Sequence, residues 1–414
     1  MPAAADEWRA SWTLVITAMA GYSLASVHAA STGVMMEPIE QDLGWSRTQI
    51  YSGASLVSFV NMGLATFVGL AIDRLGPRRI AIIATALLCC AIGLMSTTGD
   101  DLIGWWGRWV LVGIAISAMP TVWVAPVAAR FNTSRGLAVA VALSGSGIGT
   151  FLAPIITNAL VEEYGWRGGY VGLALIWAAV TLPLILLFFH DSKTPAGARA
   201  ARTADTPAEE LPGVTAREGF RSPTFYKLLF AGAGATLGGV ALILNLVPVL
   251  TFTGVSRSNA AAVAGLAGIA TIVGRIAGGW FLDRVSAKWI AFAATMGATV
   301  LPVCLLVFPG SVAISAFGII VYGLSGGAKI GALVYLASRH LGQRAFGTLY
   351  GAINALIAFS VGLAPLAANY VYDLTQSYEP TLWAAIPVIA LSGLLYATLG
   401  PYPDFSQSPV PDGR

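Results

Sequence analysis

Residues 69–79 read GLAIDRLGPRR, and residues 279–288 read GWFLDRVSAK. The aspartates of these two turns, Asp73 and Asp283, are 210 residues apart, about half of the 414-residue chain. Each turn lies between two long apolar runs, and a basic turn between hydrophobic helices is typical of a cytoplasmic loop. The recurrence predicts two homologous membrane-embedded halves, an arrangement common among transporters.

The composition indicates an integral membrane protein. Only 10% of the residues are charged and 56% are hydrophobic, whereas soluble proteins carry about 25% charged residues. The lipid bilayer is therefore the expected surrounding. No compact basic face occurs, so we expect no nucleic-acid partner. The three cysteines lie in apolar runs and predict neither disulfides nor metal ligands. No cofactor is expected.

Twelve segments have the ~20 mostly apolar residues that a helix needs to cross a bilayer. They predict an all-α polytopic protein with two pseudo-symmetric six-helix bundles. The bundles are expected at residues 1–189 and 226–400, with a cytoplasmic hydrophilic linker at 190–225 and a polar cytoplasmic tail at 401–414. The segments are 12–36, 49–72, 80–98, 102–127, 136–160, 168–189, 226–251, 259–282, 287–308, 311–337, 345–370 and 381–400.

The distribution of basic residues predicts the orientation. If both termini are cytoplasmic, 17 of the 23 Lys and Arg residues fall in cytoplasmic segments, three outside and three at membrane depth. Basic residues accumulate on the cytoplasmic side of membrane proteins. We therefore expect both termini in the cytoplasm, in a bacterial inner membrane, and a monomeric protein. The three outside are Arg47, Arg167 and Arg257.

Two cations, Arg275 and Lys329, fall near the middle of predicted helices. Ionisable groups at this depth cost several kcal/mol and usually face a cavity with a function. No Asp or Glu falls in a predicted helix core. Water in the cavity, a neutral Lys329 or an anionic ligand would each resolve the cost of two unpaired cations. The last predicts a small carboxylate, held bidentately by the guanidinium with the ammonium as a point charge. The alternative for Lys329 is a bond to main-chain carbonyls or to a neighbouring helix.

Several polar residues surround these cations in the sequence. Tyr322 and Ser325 share a predicted helical face with Lys329, and Thr271 lies one turn before Arg275. All three are candidate substrate contacts. Mid-helix amides are further candidates, although bonding between helices is the alternative for them; they are Asn61, Asn245 and Asn354.

Candidate coupling and gating residues form a second group. His28 lies in the first helix, and an imidazole changes its charge near neutral pH, which suits proton coupling. The alternative is a neutral histidine that lines the cavity and contacts substrate. Glu37, at the outer end of the same helix, is another possible proton carrier. The charged turns are expected to bond neighbouring helix ends and stabilise one conformation through Asp73, Arg74, Asp283 and Arg284.

Two six-helix halves with Gly-x-x-x-Asp-Arg turns resemble the major facilitator superfamily. Residues 130–149, RFNTSRGLAVAVALSGSGIG, with Pro154 and the YGWRG of 164–168, resemble the fifth-helix signature of the monocarboxylate transporter family and the bacterial oxalate/formate exchangers. The chain departs from these relatives. His28 occupies the region of a first-helix lysine, Thr271 replaces an acid, and Lys329 lies in helix 10 instead of helix 11.

The resemblance implies a secondary active transporter of small mono- or dicarboxylates that works by alternating access. Proton symport is the first expectation for coupling, and anion exchange is the alternative. A receptor without transport activity is a further alternative. An enzyme is not expected, because the sequence shows no nucleophile–base set, metal cluster or phosphate-binding loop.

Overall fold

The computed structural model describes residues 2–131, 134–189, 213–282, 284–342 and 344–403. This part of the chain is helical apart from turns and a single bridge between Gly213 and Gly342. The first half has α1 (Pro2–Leu43), α2 (Arg47–Leu75), α3 (Pro77–Leu94), α4 (Leu102–Arg130), α5 (Arg135–Leu143) and α6 (Gly145–Phe188). The second half has α7 (Ala216–Arg221), α8 (Pro223–Ile243), α9 (Leu246–Phe252), α10 (Arg257–Leu282), α11 (Ala287–Gly297), α12 (Val300–Val307), α13 (Val312–Leu341), α14 (Phe346–Thr375) and α15 (Glu379–Ala397).

The predicted all-α fold with twelve crossings is confirmed. Within the described ranges, ten stretches are long and apolar enough to span a membrane. The longest, Leu137–Phe188, has 52 residues and would measure roughly 78 Å if it were straight. It turns back at Gly165, where φ is 67° and ψ is 177°, so that Gly172 packs against Leu160. Because its two arms each cross the membrane, the ten stretches make eleven crossings. Helix α2, which is not among the ten, is the twelfth.

Proline explains two of the helix breaks. The chain leaves α8 at Leu244 and leaves α11 at Ala298. Pro248 and Pro302 follow these positions by four residues. A proline has no N–H for the carbonyl four residues earlier, and its ring crowds that carbonyl. Both crossings are therefore built from two shorter helices.

The described part of the predicted connector contains a short helix. Residues 190–212 and the tail from 404 lie outside the described residues, and 213–225 lie within them. Thr215 caps the short helix α7 in a capping box with Glu218. The backbone N–H of Thr215 donates to the Glu218 carboxylate, and this bond lowers the pKa of Glu218. The Thr-x-x-Glu spacing was the sequence signal for this helix.

Glycine lets helices in the second half approach closely. A Cβ on Gly274 would lie 2.1 Å from the Leu324 carbonyl, and a Cβ on Gly327 would lie 2.2 Å from the Thr271 carbonyl. Gly278 and Gly323 make similar approaches. The contact of α10 with α13 is therefore backbone to backbone, as is common in lipid.

The two halves meet along two helix pairs. We call the end of the bundle that carries residues 2 and 403 the terminal end, and the opposite end the far end. Gly147 of α6 packs against Gly268 of α10, and Gly362 of α14 packs against Ser55 of α2. These positions lie on the far side of Arg275 in α10 and of Asn61 in α2. The halves are thus closed on each other towards the far end, along a surface that we call the seam.

Candidate functional site

Arg275 lies on the seam. It is roughly 27 Å along α10 from Arg257, the first residue of that helix, at ~1.5 Å per residue. Its Nη1 donates to the carbonyl oxygen of Leu143 at 3.1 Å. Leu143 ends α5 in the opposite half, where the helix is interrupted at Ser144. Tyr22 of α1 is within electrostatic range of the guanidinium. A guanidinium has five N–H donors, so one protein acceptor leaves most of them for a ligand.

Lys329 lies at a similar depth, roughly 26 Å along α13 from Val312 at ~1.5 Å per residue. Its Nζ donates to the carbonyl oxygen of Ala235 in α8 at 3.3 Å. Tyr322 also faces α8, because its hydroxyl would lie 2.7 Å from a Cβ on Gly239. The bond to a main-chain carbonyl is the alternative that the sequence left open for Lys329.

The two cations thus share a depth but contact different neighbours. Arg275 reaches α5 and Lys329 reaches α8, and within the described ranges neither forms an ion pair with a carboxylate. An ion in such a place needs a compensating charge, water or polar partners. Each of the two cations thus has a main-chain carbonyl as its described acceptor, and an anionic ligand would supply the compensating negative charge.

Tyr322, Ser325 and Lys329 were predicted to share one face of their helix. Ser325 instead contacts a different helix from the other two. Its hydroxyl lies 2.5 Å from where a Cβ on Gly297 of α11 would be. The reason is that α13 packs between α8 and α11, so residues at the edges of one stripe contact different helices. Thr271 bonds its own helix, because its Oγ1 donates to the Ala267 carbonyl at 2.7 Å.

The three amides have three different surroundings. Asn245 is wholly buried, and its Oδ1 accepts a 2.9 Å hydrogen bond from Nδ2 of Asn369. This contact within the second half corresponds to the interhelical alternative and does not favour a substrate contact. Asn354 is exposed on α14 and bonds Tyr350 one turn away. Asn61 is half-buried on α2. Asn61 and Asn354 stay predicted substrate contacts.

Asn245 belongs to a polar network at the far end that the sequence analysis missed. Tyr378 donates to Oδ1 of Asn369 at 3.0 Å, and Nη1 of Arg47 donates to the Tyr378 hydroxyl at 3.1 Å. The Nε of Arg47 also donates to Glu40 at 3.1 Å. The sequence predicts Arg47 only as a basic residue outside the membrane. The network joins the two halves, because Arg47 and Glu40 belong to the first and the other residues to the second.

Tyr51 makes a further hydrogen bond between the two halves. Its hydroxyl donates to the carbonyl oxygen of Leu244. That carbonyl has no helical partner because Pro248 lacks an N–H. The break in the helix thus supplies the acceptor for the opposite half.

The predicted coupling residues lie in the first half. The ring of His28 is 6.2 Å from that of Trp109 in α4, and its Nδ1 is buried without a hydrogen-bond partner among the described residues. Its roles in coupling and substrate contact stay predictions. Glu37 is exposed and helps to line a cavity of about 210 Å³ at the far end, together with Arg47 and Arg257. This position is far from Arg275.

The gating turns are only partly described. Arg284 donates from Nη1 to the Trp280 carbonyl at 2.9 Å, and its guanidinium lies 4.0 Å from the centre of the Trp280 ring. Arg74 is exposed in the last turn of α2. Asp283 and the Asp73 side chain lie outside the described residues. Gating by these turns stays a prediction.

A second cavity lies between the halves, with a volume of about 190 Å³. Its wall is largely apolar, and the hydroxyls of Ser26 and Thr150 both donate to the carbonyl oxygen of Ser146. Within the described ranges, no cluster of His, Cys, Asp and Glu could hold a metal ion. The lining residues are Ser26, Ala29, Ala30, Gly33, Thr150, Pro154, Ile243, Leu244, Leu246, Val247 and Ala264.

Twelve apolar crossings in two halves that meet at a seam define a polytopic membrane protein of the transporter class. The chain belongs to the Major Facilitator Superfamily, whose match covers residues 14–365. The predicted family is thereby confirmed, and the chain is an integral membrane transporter of small molecules.

Relatives include monocarboxylate transporters. Monocarboxylate transporter 12-B of Danio rerio is 27% identical over 383 residues, which cover 84% of this chain and 79% of that protein. Monocarboxylate transporter 12 of Rattus norvegicus is 24% identical over 65% of this chain, but the match spans only 60% of that protein. The uncharacterized MFS-type transporter YcxA of Bacillus subtilis (strain 168) is 24% identical over 87% of this chain and 88% of its own length.

Solved structures support the fold. The crystal structure of a D-xylose-proton symporter has a TM-score of 0.73 at 14% identity, and the match covers 94% of this chain and 98% of that one. At this identity the likeness concerns the fold alone.

Proposed function

We propose that this protein is a secondary active transporter of small mono- or dicarboxylates, with Arg275 as the carboxylate anchor. The observation that supports this most is the surrounding of Arg275. The guanidinium lies deep in a membrane protein, makes one hydrogen bond to the protein and has no carboxylate partner among the described residues. A carboxylate can occupy the free N–H donors bidentately. The similarity to monocarboxylate transporters points to the same class of substrate.

The position of Arg275 also couples binding to movement of the halves. The guanidinium belongs to the second half and the Leu143 carbonyl to the first. A ligand that competes with Leu143 for the same donors changes the interaction between the halves, and a ligand shifts an equilibrium only through such differential contacts. Near-rigid halves that rock about this point would expose the site to each side in turn. The far end is closed in the structure, and we propose that this end faces the outside of the cell. The structure then corresponds to an inward-facing state.

Proton symport is the first proposal for coupling, and anion exchange is the second. A proton could be carried by His28, by Glu37 or by the substrate itself. Exchange needs no protein group that titrates, and it is favoured by the absence of a carboxylate beside either deep cation in the described ranges. An imposed inward proton gradient should accelerate uptake into empty proteoliposomes if symport is correct. Dependence on internal anion, without an effect of the gradient, would favour exchange.

Replacing Lys329 by glutamine should shift selectivity towards monoanions. With Arg275 present, one carboxylate can still bind, whereas the second carboxylate of a dianion would lose its nearby positive charge. We expect the affinity for a dicarboxylate to fall roughly tenfold more than that for a matched monocarboxylate. The measurement is the ratio of the two apparent affinities in transport assays. Lys227→Gln is the matched control, because Lys227 also donates to a main-chain carbonyl, that of Thr398 at 2.8 Å, but at the terminal end. An unchanged ratio would leave Lys329 with a structural role.

The proposed topology places the terminal end in the cytoplasm of a bacterium. Single cysteines at Ser192 and Ser377 test it in a variant without the three native cysteines. A thiol reagent that does not cross the membrane should label Ser377→Cys in intact cells and should label Ser192→Cys only after lysis. The basic asymmetry supports this orientation. Labelling of Ser192→Cys in intact cells would show that the orientation in the membrane is the opposite of the proposed one.

A further inference from the structure

Two short stretches at the far end repeat each other. Residues 44–49 read GWSRTQ and residues 254–259 read GVSRSN. Arg47 and Arg257 are therefore 210 residues apart, like the two charged turns. The glycines, Gly44 and Gly254, have positive φ values of 65° and 98°, and each arginine is the first residue of a helix that crosses the membrane.

The first copy joins the first half to the second. The Asp373 carboxylate of α14 accepts hydrogen bonds from the backbone N–H groups of Arg47 at 3.2 Å and Thr48 at 3.0 Å. These groups open α2, so the negative charge also meets the positive end of the helix dipole. The guanidinium of Arg47 lies 3.9 Å from the centre of the Tyr372 ring.

The second copy crosses the seam in the opposite direction. Nη2 of Arg257 donates to the carbonyl oxygen of Val34 in α1 at 2.7 Å. The carboxylates of Glu37 and Glu162, both in the first half, attract the same guanidinium. Arg257 thus contacts the half to which it does not belong, as Arg47 does.

The acidic partners also come from a repeat. Residues 153–162 read APIITNALVE and residues 364–373 read APLAANYVYD. The alignment pairs Glu162 with Asp373 and Asn158 with Asn369. In α6, Nδ2 of Asn158 donates to Glu162 at 2.7 Å. In α14, Asn369 belongs to the network that includes Tyr378. The repeated acid Asp373 therefore accepts from the backbone N–H of Arg47, and the repeated acid Glu162 attracts the guanidinium of Arg257, each across the two halves.

We propose that these two clusters form a pseudo-symmetric latch that holds the far end closed. The first cluster is Arg47 with Asp373, and the second is Arg257 with Glu162 and Glu37. The cavity of about 210 Å³ lies between them and is lined by both arginines. Opening of the far end breaks the bonds between halves, but Arg47 keeps Glu40 and Glu162 keeps Asn158, since these pairs lie within one half. Asp373 and Arg257 lose their partners of the opposite half on opening and exchange them for water at this end of the bundle, so opening and closing exchange one set of polar partners for another.

The latch is independent of the identity of the substrate, and its test needs no transport assay. Double electron-electron resonance spectroscopy would measure the distance between spin labels attached at Asp100→Cys and Glu379→Cys. Both positions are exposed, and they belong to opposite halves. The background replaces Cys89, Cys90 and Cys304 by serine. Wild type should show one short distance. The double variant Asp373→Asn/Glu162→Gln should show a second, longer distance from molecules whose far end is open. The open fraction should rise roughly tenfold, which corresponds to a loss of about 1.4 kcal/mol in the stability of the closed state relative to the open state.

Asp42→Asn is the matched control. Its carboxylate lies at the same end but bonds Trp166 and Arg167 of its own half, so the distance should not change. If the double variant cannot be purified, the single variants Asp373→Asn and Glu162→Gln are measured, and each should shift part of the population. The conservative variant Glu162→Asp should shift it less than Glu162→Gln. Distances in the latch variants equal to those of Asp42→Asn would overturn the proposal.

Discussion

Replacing Arg275 by lysine should lower the initial rate of carboxylate uptake roughly tenfold or more. Lysine keeps the positive charge but loses the planar fork that binds a carboxylate bidentately. Arg275 donates a hydrogen bond to the Leu143 carbonyl of the opposite half at 3.1 Å. The shorter lysine side chain would weaken this hydrogen bond between the halves as well. The measurement is the initial uptake of a labelled carboxylate into proteoliposomes, normalised to the amount of reconstituted protein.

Arg108→Lys is the control for this experiment. Arg108 also donates to a main-chain carbonyl, that of Thr97 at 3.1 Å, but near the far end of its own half. Its replacement should leave uptake within about twofold of wild type, since exposed contacts contribute little. If Arg275→Lys transports as well as Arg108→Lys, Arg275 is not the anchor.

Replacing Gly268 by alanine should abolish most transport while the protein still folds into the membrane. A Cβ at this position would lie 2.2 Å from the carbonyl oxygen of Gly147 and 2.7 Å from the backbone nitrogen of Phe151. Backbone atoms cannot move aside as a flexible side chain can, and close-packed interfaces do not accept an extra methyl group without displacement. The seam could then not close as observed, so we expect a loss of roughly tenfold or more in uptake.

Gly279→Ala is the matched control, because it lies on the same helix and a Cβ there would meet nothing within 4 Å. Alanine favours a helix more than glycine does, so neither change should harm α10 itself. The distance measurement between Asp100→Cys and Glu379→Cys should show an opened far end only for Gly268→Ala. Uptake near the wild-type rate in Gly268→Ala would mean that closure of this seam is not part of the transport cycle.

The crossings were predictable because they depend on local properties. The length of an apolar run and the position of basic turns determine where helices cross. The ends of helices were less predictable. Helix α1 was expected at 12–36 but runs from Pro2 to Leu43. Its polar last turns are held by contacts with distant residues, such as the bonds of Asp42 with Trp166 and Arg167. A sequence window does not contain such partners.

The candidate site was predictable in depth but not in contacts. The positions of Arg275 and Lys329 along their helices could be counted from the sequence. Their acceptors, the carbonyls of Leu143 and Ala235, depend on which helices are neighbours and where those helices approach. The same dependence explains why Ser325 faces α11. Only the packing shows which face of a helix contacts which neighbour.

The far-end arginines show the opposite case, because their signal was present in the sequence. Taken singly, Arg47 and Arg257 are two of the three basic residues predicted outside the membrane. The repeat of Gly-x-Ser-Arg at the same 210-residue offset as the charged turns was available without a structure. The repeat does not identify the partners, since Asp373 lies 326 residues from Arg47 and Glu162 lies 95 residues from Arg257 along the chain. An internal repeat at turns can thus mark paired positions in two halves.

Counterflow in proteoliposomes shows whether this protein carries small carboxylates across a membrane. Vesicles loaded with one unlabelled mono- or dicarboxylate at a time would be diluted into a trace amount of the same labelled compound. We expect transient accumulation of label for at least one small carboxylate, and its loss in Arg275→Lys but not in Arg108→Lys. Accumulation of a neutral or cationic solute, with none for any carboxylate of the panel, would contradict it.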